Sequence, residues 1–137
     1  MRVVLDANAQ MPTKAHDNDA GYDLYSAESA YIRPNSSAVI DTGVHIEIRK
    51  GMFGLVAGRS GLNFRESIIC PQGTIDSGYT GSIKVKLYNL SGEPKAIKRG
   101  DRIAQIMFMK VESPVFEHAD SISETERGEG GFGSTGT

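Results

Sequence analysis

The sequence predicts an all-β fold, a jelly-roll-like β-barrel, on three observations. Glycine is frequent, 16 of 137 residues, and it recurs at the short intervals expected of turns. Between the glycines lie short segments in which apolar and polar residues alternate, the period of a half-buried strand. No segment sustains an amphipathic pattern over three helical turns. Many short strands joined by tight turns build a sandwich or a barrel.

Taken in chain order, the strands are expected at Arg2–Leu5, Tyr22–Tyr25, Ala38–Ile40, Val44–Ile48, Phe53–Ala57, Ser67–Cys70, Ser82–Tyr88 and Ile103–Val111. The clearest is Ser82–Tyr88, where Ile83, Val85 and Leu87 share one face and Lys84, Lys86 and Tyr88 the other. Val44–Ile48 repeats that pattern, with Val44, Ile46 and Ile48 set against His45 and Glu47. The remaining segments are each closed by Gly, Pro, Asn or Asp within a few residues, residues that favour turns for local conformational reasons. One short helix is expected at Gly61–Arg65, just after Ser60.

After His118 the composition changes. Large apolar residues almost vanish, half of the last ten positions are glycine, and Glu112–Glu129 carries six acidic residues against the single basic Arg127. Such a stretch has little to bury, so the expected division is a β-barrel core over 1–118 and a flexible tail over 119–137. Phe132, a lone aromatic among glycines, suits a lid that stacks on something planar.

Composition narrows the function. One cysteine, Cys70, excludes an intrachain disulfide and a multi-cysteine zinc site, and suits a reducing compartment. No apolar run approaches the ~20 residues of a membrane span, and Met1–Gln10 lacks a signal-peptide pattern, so a cytoplasmic protein with no membrane partner is expected. With 15 Lys+Arg against 17 Asp+Glu and a net charge of −2, no global positive charge exists to hold a nucleic-acid backbone. A local basic site for a small anion is compatible with that balance.

Three motif matches fail on context. Gly128, Gly130 and Gly133 spell GxGxxG, but no strand precedes them and no helix can follow. The same glycines with Ser134 and Thr135 imitate a phosphate-binding P-loop without its lysine. The zinc nucleobase deaminases need two cysteines in one motif, which this chain lacks.

Five polar, glycine-rich islands remain: Ala20–Leu24, Gly58–Leu62, Gly73–Gly81, Gly100–Ile106 and Arg127–Gly136. Their chemistry suits a nucleoside triphosphate, whose roughly four negative charges call for cations, hydroxyls and free backbone N–H groups. Arg59-Ser60-Gly61 offers all three. Gln105 places an uncharged amide inside an otherwise apolar strand, where it serves either a phosphate oxygen or the sheet itself. Asp23 and Asp101 sit where carboxylates are common for local reasons. Asp76, between Ile75 and Ser77 on an expected hairpin, is ionised at neutral pH and able to accept a proton from water.

In order and spacing the five islands resemble the motifs of the homotrimeric dUTP nucleotidohydrolase (dUTPase) family, from Ala20 to Gly136. The departures are Gly58, where the family usually has proline, and Cys70-Pro71-Gln72 ahead of the third motif. The resemblance implies a homotrimer with shared active sites that hydrolyses dUTP to dUMP and pyrophosphate with Mg²⁺, keeping uracil out of DNA and supplying dUMP for thymidylate synthesis. It implies that Asp76 is the catalytic base and that Asp23 meets the metal through water. Arg59, Ser60, Gly61, Gln105, Arg127 and Gly133 would contact the phosphate chain, and Phe132 would cover the uracil. Cys70, Thr74, Ile75 and Lys84 would read the uracil edge, chiefly through backbone groups. Tyr79 would pack on the deoxyribose and leave no room for a 2′-hydroxyl. Two rival readings are a dCTP deaminase or bifunctional relative, faintly suggested by Gly58-Arg59-Ser60, and a dUTP-gated module that binds a protein partner.

Overall fold

The computed structural model describes residues 1–131, and Phe132–Thr137 lie outside it. Eleven strands and one short helix follow one another: β1 (Val3–Leu5), β2 (Tyr22–Tyr25), β3 (Ala30–Ile32), β4 (Ser36–Asp41), β5 (Val44–Ile46), β6 (Met52–Ala57), α1 (Ser60–Glu66), β7 (Ile68–Ile69), β8 (Gly73–Asp76), β9 (Lys84–Asn89), β10 (Lys95–Ile97) and β11 (Arg102–Lys110). They pair antiparallel in four sheets, ordered β2-β11-β6-β8, β4-β9-β7, β10-β3 and β1-β5. The expected all-β architecture is the one observed.

The alternating segments behave as their pattern requires. Ile83, Val85 and Leu87 are buried, as are Val44, Ile46 and Ile48, and they join Leu24, Ile32, Ile40, Val56, Ile103 and Ile106 in one core. Branched aliphatic side chains dominate it, as suits pleated surfaces packed face to face. The buried Asn89 closes one end of the core, where its amide donates to the carbonyls of Ile32 and Glu93 and its oxygen accepts from Ser91.

Four expectations are corrected. The strand expected over Ser67–Cys70 is only Ile68–Ile69, because Ser67 ends α1 in the left-handed conformation at φ 54°. Val44–Ile48 stops as a paired strand at Ile46, although Ile48 stays buried. The three-residue strands at Ala30–Ile32 and Lys95–Ile97, which pair with each other, carry too few residues to show a period. The hairpin around Asp76 is not a hairpin. Strands β8 and β9 belong to different sheets. The backbone of Ile83 is taken up instead by Val44 and Thr42, so residues 77–83 form a loop that crosses between sheets.

Candidate functional site

One face of the β2-β11-β6-β8 sheet carries the polar islands. In the register, Gln105 lies opposite both Asp23 on β2 and Ala57 on β6. Residues directly opposite share a face, so Asp23, Gln105 and Ala57 point the same way, and Arg59 follows Ala57 by two. A bulge in β11 between Arg102 and Ala104 adds the remaining cation. Strict alternation would set Arg102 and Gln105 on opposite faces. The extra residue reverses the parity and returns Arg102 to the face of Gln105.

These side chains hold one another in place. Arg59 Nε donates to Asp23 Oδ1 at 2.8 Å and Arg102 donates to Asp23 Oδ2 at 3.2 Å. The Asp23 side chain is only 14% exposed, so its charge is compensated by two guanidiniums rather than by water. Gln105 Nε2 donates to the Gly58 carbonyl at 3.0 Å, which leaves its second amide hydrogen for another acceptor. Gly21 is required beside it, because a Cβ there would stand 2.5 Å from Gln105 Oε1. Together with Ser60 and Gly61 these residues line an open cleft of about 250 Å³. The arrangement is a hydrogen-bond-rich cleft in which Arg59 and Arg102 balance Asp19 and Asp23, and the guanidiniums, the Ser60 hydroxyl and the Gln105 amide are donors suited to an anionic chain.

Asp76 lies on the same face but at the other end. It sits opposite Phe53 on β6, four residues before Ala57. At ~3.3 Å per residue and ~4.8 Å per strand, the backbones of Asp76 and Gln105 are on the order of 15 Å apart. Leu55 and Met107, opposite each other in the register, occupy the sheet face between them. The Asp76 carboxylate is exposed, and among the described residues it pairs with no side chain. The loop beyond it closes on itself: Tyr79 N–H donates to the Asp76 carbonyl at 3.0 Å and the Tyr79 hydroxyl to the Ser82 carbonyl at 2.9 Å.

The expected site residues therefore form two groups. Asp23, Arg59, Ser60, Gly61 and Gln105 converge in the cleft. Asp76 and Tyr79 stand apart from them, with Thr74 on the outward face of β8 and Ile75 turned to the core. Cys70 was expected to share a hairpin with Thr74, Ile75 and Lys84. The structure instead places it at the cleft end, against Gly58 and beside Arg59 and Gln105. Burial pushes the Cys70 thiol up to about 11, so it is a neutral half-buried group. Lys84 faces Asp41 across β4 and β9. Asp101 accepts from the Lys98 amide at 2.8 Å, the local role expected of it. Arg127 folds back onto the Gly130 carbonyl at 2.7 Å, while Phe132 and Gly133 fall outside the described residues. Ala15 and Asp19 line the cleft from outside the islands, and Gly21 and Arg102 lie within islands without having been given a role. The adjacent apolar pair Ile103-Ala104, which breaks the alternation, was the available sign of the bulge.

Among the described residues, no group of three His, Cys, Asp or Glu side chains could cage a metal ion. None of the helices there is long and apolar enough to cross a membrane.

Comparison with known proteins agrees with the geometry. Over 98% of its length this chain is 46% identical to the deoxyuridine 5′-triphosphate nucleotidohydrolase of Mycolicibacterium vanbaalenii, of which it covers 92%. It is 47% identical to the protein of the same name from Mycobacterium avium, with the same coverage. Among solved structures, the Staphylococcus bacteriophage 80alpha dUTPase with dUPNHPP superposes with a TM-score of 0.94 at 32% identity, covering 99% of this chain and 98% of that one. The dUTPase of phage phi11 of S. aureus gives 0.84 at 28%, covering 90% and 98%. The dUTPase family pattern matches residues 7–136, and the chain belongs to the dUTPase family.

Proposed function

We propose that this protein hydrolyses dUTP to dUMP and pyrophosphate at sites shared between subunits of a homotrimer, each with a core over 1–118 and a closing tail over 119–137. The observation that carries this reading is the division of the sheet face into a triphosphate cleft and a distant carboxylate. A water held by Asp76 cannot also reach a phosphate bound at Gln105 of the same chain. The two groups meet only if the Asp76 end of one subunit faces the cleft of another. The half-buried Phe53, Leu55 and Met107 on that face offer apolar area for such a contact.

In this arrangement Asp76 takes a proton from a water as its oxygen attacks the α-phosphorus, and the bond to the bridging oxygen breaks to release pyrophosphate. Arg59, Ser60 and the free amide hydrogen of Gln105 stabilise the charge that accumulates on the phosphate chain, with Arg127 and Gly133 joining from the tail. Asp23 fits a magnesium ion delivered on the triphosphate. Its carboxylate has about four acceptor sites, of which the two arginines occupy two, so lone pairs remain for metal-bound water. When bound, the ion neutralises phosphate charge. Backbone groups of Cys70, Thr74, Ile75 and Lys84 read the uracil edge. A base that leaves such groups unpaired is rejected by on the order of 10⁴. Tyr79 covers the 2′ position and Phe132 the base, in a site that acts in the cytoplasm without nucleic acid or membrane.

A pyrophosphate-release screen over dUTP, UTP, dTTP and dCTP tests the reading, with dUTP expected to be the one good substrate. Ammonia released from dCTP would favour a deaminase. Tight dUTP binding without turnover would favour a regulatory module.

A further inference from the structure

The crossing loop that follows Asp76 and carries Tyr79 is tied to the barrel by side chains at two points ahead of Ile83, whose backbone is held by Thr42 and Val44. Ser82 Oγ hydrogen-bonds the Asp41 carboxylate at the end of β4. Closer to Tyr79, the carbonyl of Thr80 meets Nδ1 of His45 at 2.8 Å. The other ring nitrogen of His45, Nε2, meets Asp6 Oδ2 at 3.1 Å. A carbonyl and a carboxylate are acceptors only, so both bonds form together only when both ring nitrogens carry protons. His45 stands on β5, one face of which is core, and its side chain is 27% exposed.

We infer that His45 is a positioning residue: as an imidazolium it holds Thr80, and through Thr80 the loop that sets Asp76 and Tyr79. This rests on the roles proposed above for Asp76 and Tyr79. A neutral ring donates once, and the Asp6 carboxylate takes that proton as the stronger acceptor. The Nδ1 lone pair then faces the Thr80 oxygen, and the loop loses its tie nearest Tyr79 while those at Ser82 and Ile83 remain. Selectivity against a 2′-hydroxyl, which depends on how closely Tyr79 approaches the sugar, follows the protonation of His45.

The charged surroundings favour the imidazolium. The Thr80 carbonyl and then Asp6 raise the His45 pKa above the ordinary imidazole value, with partial burial opposing them and Asp41 adding a smaller increase. Arg2 and Glu47 line a separate surface hollow with His45 and Thr80 but pair with each other. Lys84 lies against Asp41 across the sheet. For a raised pKa the stabilising contribution is present below the unfolded-state value and lost as pH rises through the folded-state value. The hold of His45 on the loop is therefore full below the ordinary imidazole pKa and is lost as pH rises through the raised pKa of the folded protein.

The test is the ratio of kcat/KM for dUTP over UTP between pH 6 and 9, with the His45 ring titration followed by NMR. The triphosphate and uracil titrate alike in both substrates, so their ionisation cancels. In the wild type the ratio is expected to fall about 5-fold through the His45 titration, the effect of one lost hydrogen bond. His45→Leu should show the lower ratio at every pH. Asp6→Asn keeps the ring and removes the stronger acceptor, so a neutral ring can donate its one proton to Thr80, and the fall of the ratio at high pH should be largely abolished. A His45→Leu ratio equal to the wild type at pH 6, or a fall in Asp6→Asn as large as in the wild type, overturns the inference. Turnover surviving Asp76→Asn would instead defeat the reading on which it rests.

Discussion

The two ends of the β6 face are built on opposite principles. At the cleft end every charged group is engaged: Asp23 is held by Arg59 and Arg102, and Gln105 by the Gly58 carbonyl. At the other end Asp76 is exposed, at the start of a loop tied down through its backbone and through Ser82. Cations that bind a ready-made anion gain from being fixed beforehand, because little ordering remains for the moment of binding. A base must keep its lone pairs free for a water, so a strong internal partner would hinder it. The contrast shows a binding surface completed within one chain and a reactive group left for a second surface to cover.

Asp76→Asn should break the exposed end alone. The amide keeps the shape of the carboxylate but accepts no proton, so kcat for dUTP is expected to fall roughly 10³-fold. Titration calorimetry should find dUTP affinity little changed, since the cleft is intact. A variant that loses affinity and rate together would mean that Asp76 belongs to the binding surface.

Deleting Arg127–Thr137 should lower turnover roughly 10²-fold by removing donors to the phosphate chain. The melting temperature without ligand should stay that of the full chain. Arg127–Gly131, the described part of the deletion, holds no large apolar side chain and lies beyond the last strand, which ends at Lys110. A large drop in melting temperature would assign the tail to the core.

The smallest effect is expected at the cleft, from Gly21→Ala. The added methyl must displace the Gln105 side chain from the Gly58 carbonyl, an overpacking that costs about 1–3 kcal/mol. Differential scanning calorimetry should find that loss, with kcat/KM for dUTP down about 10-fold and the dUTP/UTP ratio unchanged, because Gln105 serves the phosphates that both substrates share. A changed ratio would mean that Gln105 also positions the sugar.

The sequence was most legible where periodicity is long. Val44–Ile48 and Ser82–Tyr88 could be read from alternation because five or more residues define a face. Ala30–Ile32 and Lys95–Ile97 could not, since three residues have no period and their pairing is set by distant contacts. The left-handed Ser67 and the bulge at Ile103 are local departures that tertiary packing imposes on ordinary residues. Asp23, Arg59, Ser60, Gly61 and Gln105 were visible as islands, and the register explains why they converge. Arg102 joined them only through the bulge. The crossing loop looked like a hairpin because its flanks alternate, yet alternation carries no information on which sheet each flank joins.

Mixed assemblies test most directly whether the two ends serve one site from different chains. Asp76→Asn chains and Arg59→Gln chains, each nearly inactive alone, are refolded together in equal amounts, with exchange verified by mass. In a closed cyclic trimer with random mixing, about one interface in four joins an intact Asp76 to an intact cleft. Turnover of dUTP is predicted to recover to roughly a quarter of the wild-type rate per site. If each site belonged to a single chain, no mixed assembly would contain an intact one, and mixtures no more active than their components would contradict the account.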